Sequence, residues 1–419
     1  MSKNKKFQKN LKAEKGITLI ALVITIVILI ILATVSINVV LGEGGLIQRA
    51  QEGKSLTDQA QTDEQEEITG AEEYINGILV GIENQDPQTP KVEEVKGGEA
   101  FGEKTKVVDS KNNEIWVPAG FRIASDSGNT VQQGIVIEDV NASKDTAVQG
   151  SQYVWIPVGT FTKDSGSPSG EIKLGRYTFD VSGNPELVQD AANYTDQSES
   201  VVIESKFKEL VDYRPGVSSD GTDGKNATAK DLKGFINSVS SNGGYYIGRY
   251  EASYASGSST ENYKAASKIS NGYSEDSMSY KTGTLWNCIN QIDASKVAIN
   301  TYAGNTSVKS DLINSYAWDT AIVYIQEAGN TNYANQTSKN SSLANTGTNA
   351  DEVCKINDMG SNVKEWTTEY SNYTSSSGVY SCTSRGSNYD RSDNFTVDRY
   401  GNVTTRNIYH LGFRLNLYL

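Results

Sequence analysis

The sequence holds one histidine, His410, and three cysteines, Cys288, Cys354 and Cys382, among 419 residues. A single imidazole excludes a His-rich zinc site. Any Ser-His-Asp or Cys-His catalytic set would depend on that one ring. A loop histidine beside the closing strand is its ordinary account. Three cysteines are too few for a disulfide framework. Cys354 and Cys382 bracket one segment, and either pair in an oxidising setting or stay as buried thiols. Charged residues make up only 21% of the chain and are mostly acidic, giving a formal net charge of −13. That sign opposes nucleic acid and anionic membrane surfaces as partners and favours solubility. Ser, Asn, Thr, Gly and Tyr, with 23 tyrosines, fill the space and suit a loop-rich exported protein with ample contact surface.

One long apolar run is present. Ile17 to Leu41 carries no charge over 25 residues, a length of roughly 37 Å as a helix, enough to span a bilayer core. Before it stand Lys3, Lys5, Lys6, Lys9, Lys12 and Lys15 against one acid, Glu14. Lysines ahead of the run and none inside it place the N-terminus in the cytoplasm and everything beyond Leu41 outside. The expected location is the cell membrane with an extracellular head, alone in the lipid bilayer or within a surface filament. Without the leader the remaining charge is about −18.

Glycine loosens the chain at Gly42, Gly44 and Gly45. Ile68, Ala71, Ile75, Ile78 and Ile82 then recur at three- and four-residue intervals, the stripe of an amphipathic helix whose solvated side holds Glu64, Glu67, Glu72 and Glu73. Pro87 and Pro90 end it. The expected order is a basic leader over 1–16, an apolar helix over 17–41, a stalk over 42–85, a linker over 86–96 and a head over 97–419. In the head, short apolar runs between Gly, Ser and Asn clusters predict strands and long loops. Ile115-Trp116-Val117-Pro118 and Val154-Trp155-Ile156-Pro157 echo each other, each a strand that leaves its sheet at proline. Helical spacing marks 204–212, 229–240 and 310–327.

The order Lys15-Gly16-Ile17-Thr18-Leu19 ahead of the apolar run resembles the type IV prepilin class. That resemblance implies cleavage between Gly16 and Ile17 by a prepilin peptidase, and an apolar helix that packs with other pilin-like subunits. Such pilins carry Glu at the fifth mature position, where this chain has Ala21. The departure argues for a minor or tip component over a major filament subunit.

A second resemblance rests on four pieces in order: Tyr153 to Gly159, Gly244 to Ala252, Asp358 to Trp366, and Arg385-Gly386-Ser387 followed by Gly412-Phe413-Arg414. Together they look like the formylglycine-generating-enzyme (sulfatase-modifying-factor) family, a branch of the C-type lectin fold. The implied fold class is α+β, a long N-terminal helix followed by a C-type-lectin head. Trp366, Arg385, Gly386, Gly412, Phe413 and Arg414 are its expected framework, and Ser361 departs from the family's usual glycine. The family's enzymes bind copper through a cysteine pair just after the Arg-Gly-Gly-Ser segment. This chain has no cysteine there, so the oxidase chemistry is expected to be absent. Asn362 and Glu365 either ligate calcium, as hard oxygen donors do in C-type lectin relatives, or pin loops through hydrogen bonds.

From Ser384 to His410, 17 of 27 residues are Asn, Tyr, Asp, Ser, Thr or His. These amino acids are what adenine-directed mutagenesis of Asn-type codons yields, and C-terminal C-type lectin domains are the usual targets of diversity-generating retroelements. A fixed binding surface or a plain loop fits the same composition. Asn388, Tyr389, Asp390, Asp393, Asn394, Asn402, Asn407 and Tyr409 are the candidate ligand contacts, for an extracellular protein or glycan and not for nucleic acid. The expected function is therefore a surface-displayed, non-catalytic ligand-binding head. A structural pilin subunit, or an exported enzyme of some other activity on the same fold, are the rival readings.

Overall fold

The computed structural model describes residues 22–32, 54, 89–195, 201–209, 231–259, 261–274, 280–338, 341–348, 351–375, 378–403 and 406–419. Its contacts divide the chain into two units, residues 1–85 and 86–419.

In the first unit residues 22–32 are helical, with their apolar side chains about half exposed. Eleven residues make a helix of about 16 Å, roughly half the thickness of a hydrocarbon core. Among the described residues no helix is long and apolar enough to cross a membrane. The expected location in a cell membrane is corrected on that finding, and a long pilin-like helix over 17–41 is not seen, residues 17–21 and 33–41 lying outside the described residues. The cleavage pair Gly16 and Ile17, Ala21 and nearly all of the stalk lie outside the described residues.

The second unit is a mixed α and β structure dominated by sheet. The expected linker is in its later part built into this unit. Val92–Val95 forms one helical turn, Val92 is fully buried, and Lys91 bridges to Val108. The strands that position the site are β1 (Phe121–Ile123), β2 (Val136–Asp139), β3 (Gln152–Pro157), β4 (Gly244–Gly248), β5 (Lys309–Leu312), β6 (Lys364–Ser375), β7 (Gly378–Arg385), β8 (Arg399–Asn402), β9 (Leu411–Phe413) and β10 (Leu415–Tyr418). Six of them make an antiparallel sheet in the order β5-β10-β4-β3-β2-β1. Its central strand β4, Gly-Tyr-Tyr-Ile-Gly, is buried at every position. A run buried on both faces reads as continuous apolar sequence, without alternation. Trp155 on β3 meets Tyr246 on β4 edge-on at 5.0 Å.

The second sheet runs β8-β7-β6-β9, with the short strand Phe207–Lys208 also paired to β6. β6 and β9 are parallel, placing Trp366 beside Phe413 and Glu365 beside Gly412. Because β9 and β10 are separated only by Arg414, the chain passes from the second sheet into the first at that residue.

Three helices pack on this frame: α1 (Leu232–Asn242), α2 (Gln291–Thr301) and α3 (Ser315–Glu327). Each begins at a side chain that accepts from a first-turn amide: Asp231 from Gly234, Asn290 from Asp293 and Asn314 from Ala317. Gly243 closes α1 in the left-handed conformation at φ 68°. α3 is buried on all sides from Ser315 to Ile325, as a helix at the centre of a domain must be. The carboxylate of Glu209 accepts from its first amide, Ser315, at 2.9 Å. Of the three predicted helical stretches, 229–240 corresponds to α1. The 310–327 stretch divides into β5 and α3. Residues 204–209 are turn and strand instead of helix.

Candidate functional site

The framework residues meet in two buried charge networks that fix the base of the C-terminal loops. In the first, Arg414 donates to both oxygens of Glu365 at 2.7–3.1 Å, to the carbonyl of Gly248 at 2.7 Å and to that of Asn357 at 2.8 Å. The guanidinium thus ties the second sheet, the first sheet and the Ile356–Asn357 strand at one point. Glu251 accepts from Asn362 Nδ2 at 2.6 Å and from the Val363 amide at 3.1 Å. Burial raises the Glu251 carboxyl well above its ordinary value, and nearby Asp358 and Glu365 push it the same way.

The second network joins Arg176, Arg385 and Arg399 to Glu369 and Asp319. The ion pairs run from Arg176 to Glu369 at 2.9 Å, from Arg385 to Asp319 at 2.6 Å and from Arg399 to both acids at 2.5–3.1 Å. Burial alone would raise Glu369, but Arg399, Arg385 and Arg176 outweigh it and hold its pKa below the usual carboxylate range. Around these pairs the apolar framework is closed. Trp366 is fully buried and donates its indole N–H to the Ile289 carbonyl at 2.8 Å, while Phe413 packs 5.8 Å from Trp286. Gly386 holds φ 82°, and a Cβ there would lie 3.1 Å from the Met359 carbonyl. Ser361, in place of the family's glycine, is buried and donates to Asp351 at 2.8 Å.

Both expected calcium ligands are engaged in internal hydrogen bonds. Asn362 Oδ1 accepts from the Ala344 amide at 3.0 Å, its amide group is spent on Glu251, and both Glu365 oxygens are held by Arg414. Among the described residues no group of three or more His, Cys, Asp or Glu side chains is placed to hold a metal ion. The hydrogen bonds of Asn362 and Glu365 are those of loop pinning. Cys354 and Cys382 form no disulfide. Cys382 is buried within β7, opposite Asn402, and burial pushes its thiol pKa far up.

Two loops rise from this base: one between β7 and β8, the other between β8 and β9. They divide the eight candidate contacts. Asp390, Asp393, Asn407 and Tyr409 are exposed, and Tyr389 and Asn394 are half-buried. Tyr409 is 51% exposed and lies 6.3 Å from the Tyr389 ring and 5.4 Å from His410. Asn388 and Asn402 do not belong with them. Asn388 is buried and donates to Asp390, and Asn402 is buried and donates to Ser384 Oγ at 2.8 Å. Asn402 ends β8, where its amide also donates to the Tyr400 carbonyl at 3.2 Å.

Lys364 and Tyr400 border the loops beside the expected contacts and were not anticipated. The Lys364 ammonium lies 3.3 Å from the Tyr400 ring centroid. Burial, reinforced by Arg391, lowers its pKa to about 8. Burial also lowers His410. Tyr389 is pushed up to about 12 by burial and by Tyr409 and Asp390 beside it. Tyr273, 43% exposed, bridges through its backbone to Leu285. The only signal of such groups in the sequence is the high tyrosine content. A cleft of about 580 Å³ lined by Gly97 to Ala100, Arg122, Val140 and Asn141 shares no residue with the loops.

No protein-family profile matches the chain, and no curated protein matches it. Among solved structures it is similar to PvdO from Pseudomonas aeruginosa at 12% identity, covering 64% of this chain and 95% of that one with a TM-score of 0.32. Treponema denticola variable protein 1 aligns at 11% identity over 65% of this chain and 97% of its own, TM-score 0.30. The Major Tropism Determinant M1 variant aligns at 11% identity over 77% and 81%, TM-score 0.27. Likeness at this level assigns neither family nor function.

Proposed function

We propose that residues 86–419 form a non-catalytic ligand-binding head on a C-type-lectin frame of the sulfatase-modifying-factor type, and that the two C-terminal loops are its contact surface. The observation that carries this reading is the division of labour along residues 384–414. Arg385, Asn402 and Arg414 are buried and committed to internal partners, while Asp393, Asn407 and Tyr409 between them are exposed; exposed Asp390 accepts from buried Asn388. A rigid ion-paired base under exposed tyrosine, asparagine and aspartate is how a binding surface is pre-organised. No oxidase chemistry is assigned, since the segment that should hold the cysteine pair, Ser387 to Phe395, has none.

The test is a binding screen of the full chain against carbohydrates and proteins, run beside a Tyr389→Ala/Tyr409→Ala variant. Ligand capture that the variant loses supports the reading, and capture that it retains overturns it. The finer proposal is that the exposed loop positions are diversified by a retroelement. It requires a near-copy of the codons for 384–414 in the same genome, differing only at template adenines. The same comparison should spare the codons of Arg385 and Arg414, which build the base.

A further inference from the structure

The described arginines of the head are paired within the chain, with two exceptions, and both exceptions stand on the C-terminal loops. Arg122, Arg176, Arg249, Arg385, Arg399 and Arg414 each end on a carboxylate of the chain at 2.5–2.9 Å. Arg391 and Arg406 do not. Both are exposed, and neither guanidinium has a hydrogen bond or ion pair among the described residues. The chain has 51 acidic residues against 38 lysines and arginines, so these two forks are open although carboxylates are in excess. Arg391 belongs to the β7–β8 loop and Arg406 to the β8–β9 loop. Their backbones are held by turns. The Arg391 amide donates to the Asn388 carbonyl at 3.0 Å, Ser387 Oγ donates to the Arg391 carbonyl at 3.1 Å, and the Arg406 amide donates to the Val403 carbonyl at 3.1 Å.

A third cation borders the loops. Lys364 is half-buried, its ammonium lies on the Tyr400 ring, and it too has no hydrogen bond or ion pair among the described residues. The three cations act on one place: burial lowers the pKa of His410, Asp390 opposes that, and Arg406, Lys364 and Arg391 each add to the lowering. Asp390, Asp393 and Asp398 share these loops and match the cations in number. Two of the three are already in use. Asp398 accepts from the Phe395 amide at 2.9 Å and from the Tyr400 hydroxyl at 2.7 Å, and Asp390 accepts from Asn388. Asp393 is exposed and has no hydrogen bond or ion pair among the described residues. The open capacity is therefore mainly cationic, two planar forks and an ammonium against one carboxylate.

An arginine fork takes a carboxylate through two parallel N–H···O bonds, and arginine beside tyrosine is typical of the energetic centres of protein–protein contacts. A dense polyanion would meet the three aspartates and the acidic chain behind them, whereas one or two carboxylates on a mixed protein surface would not. We infer that the partner of the contact surface is a protein with an acidic segment, and that Arg391 and Arg406 receive its carboxylates while Lys364 adds charge beside them. This rests on the two loops being the contact surface. Tyr389 and Tyr409, 6.3 Å apart, supply aromatic area on the same loops, and Asp393 is open to a cation of the same partner.

The experiment selects peptides from a random displayed library on the full chain, and measures affinities of the selected peptides for wild type and variants. The variants are Arg391→Gln/Arg406→Gln, Arg391→Lys/Arg406→Lys, Asp393→Asn and Tyr409→Ala. The two arginine side chains are exposed and unpaired, so the fold is retained in both double variants. The expected peptides are enriched in Asp and Glu, and Arg391→Gln/Arg406→Gln weakens them at least tenfold. The lysine pair restores part of the loss, and Asp393→Asn binds at least as tightly as wild type. Raising the ionic strength to about 1 M, where screening acts within about 3 Å, should weaken wild type and leave the glutamine pair nearly unchanged. If the peptides show no acidic bias, or depend on Tyr409 but not on the arginines, acid recognition is wrong and the binding head stands. If only a sialylated or sulfated glycan from an array is captured, and the glutamine pair loses it, the protein class is wrong and the binding head stands. If nothing binds through the loops, both readings fall.

Discussion

The guanidinium of Arg414 meets both carboxylate oxygens of Glu365 at 2.7–3.1 Å, with neither side chain reaching solvent. Arg414 is the single residue between β9 and β10, so this pair holds the second sheet against the first where the chain crosses over. Replacing Arg414 by Ala leaves a buried carboxylate without its partner, which costs about 3–5 kcal/mol. Arg414→Lys should recover only part of this, because an ammonium cannot repeat the planar two-pronged contact or reach both carbonyls. Denaturant midpoints of the two variants check the order. Equal midpoints for Lys and wild type would show that charge alone matters.

Stability should fall at both ends of the pH range, for different carboxylates. Glu369 has a folded pKa below its ordinary 4.5. Its contribution is therefore present above the unfolded value and lost as pH drops through the folded one. Glu251 has a folded pKa raised well above 4.5. Its contribution is full below the unfolded value and is lost as pH rises toward the folded one. Urea midpoints measured between about pH 3 and pH 9 should pass through a maximum in the mildly acidic range. Glu369→Gln should lower the neutral midpoint and flatten the acid limb while leaving the alkaline limb in place. A midpoint unchanged above the maximum would mean that Glu251 is ionised in the folded protein.

Much of this frame is legible in the sequence because the residues that build it have unmistakable chemistry. Trp366, Phe413 and Arg414 are large, and each has one plausible place, in the core or across a carboxylate. Val154 to Pro157 and Tyr245 to Ile247 read as strands because they are apolar without interruption. α2 was not legible. Its buried positions are Gln291, Ala294, Ser295, Val297, Ala298 and Thr301, mostly small or polar, so no apolar stripe marks it. The predicted helix over 204–212 fails in the opposite way, since in its described part, 204–209, the chain makes a turn and a two-residue strand, Phe207–Lys208. For the site, residue type alone cannot separate Asn388 and Asn402 from Asn394 and Asn407. Loop root and loop tip share a composition, and only the fold says which amide is turned inward.

Gly386 offers a check on the loop base that leaves the charge networks intact. Its φ of 82° belongs to the left-handed region, and a Cβ would approach the Met359 carbonyl to 3.1 Å. Gly386→Ala should cost about 1–2 kcal/mol of stability. A neutral effect on the thermal midpoint would show that the turn relaxes.

Calcium should leave the protein unmoved. Binding to the folded state at a hundredfold excess over Kd would add about 2.7 kcal/mol and raise the melting temperature by several degrees. With Asn362 and Glu365 fully engaged by Ala344, Glu251 and Arg414, melting curves in millimolar calcium and in EDTA should superimpose. A calcium-dependent rise would require oxygen donors other than these two.

The two kinds of loop asparagine and tyrosine should separate cleanly in paired measurements. Asn402 is buried and bonded to Ser384 Oγ and to the Tyr400 carbonyl. Asn402→Ala removes a satisfied buried amide and strands its partners, at about 1–3 kcal/mol. Tyr409 and Asp393 are exposed, and their replacement by Ala should change stability by no more than about 0.5 kcal/mol. For binding the order reverses. Truncating an exposed aromatic anchor costs on the order of 2 kcal/mol, about thirtyfold in affinity, whereas Asn402→Ala acts only through whatever loop order it loses. Thermal melts and ligand titrations on the same three variants decide the matter. If Tyr409→Ala lowers stability as much as Asn402→Ala and leaves binding unchanged, Tyr409 is part of the frame and the contact surface lies elsewhere.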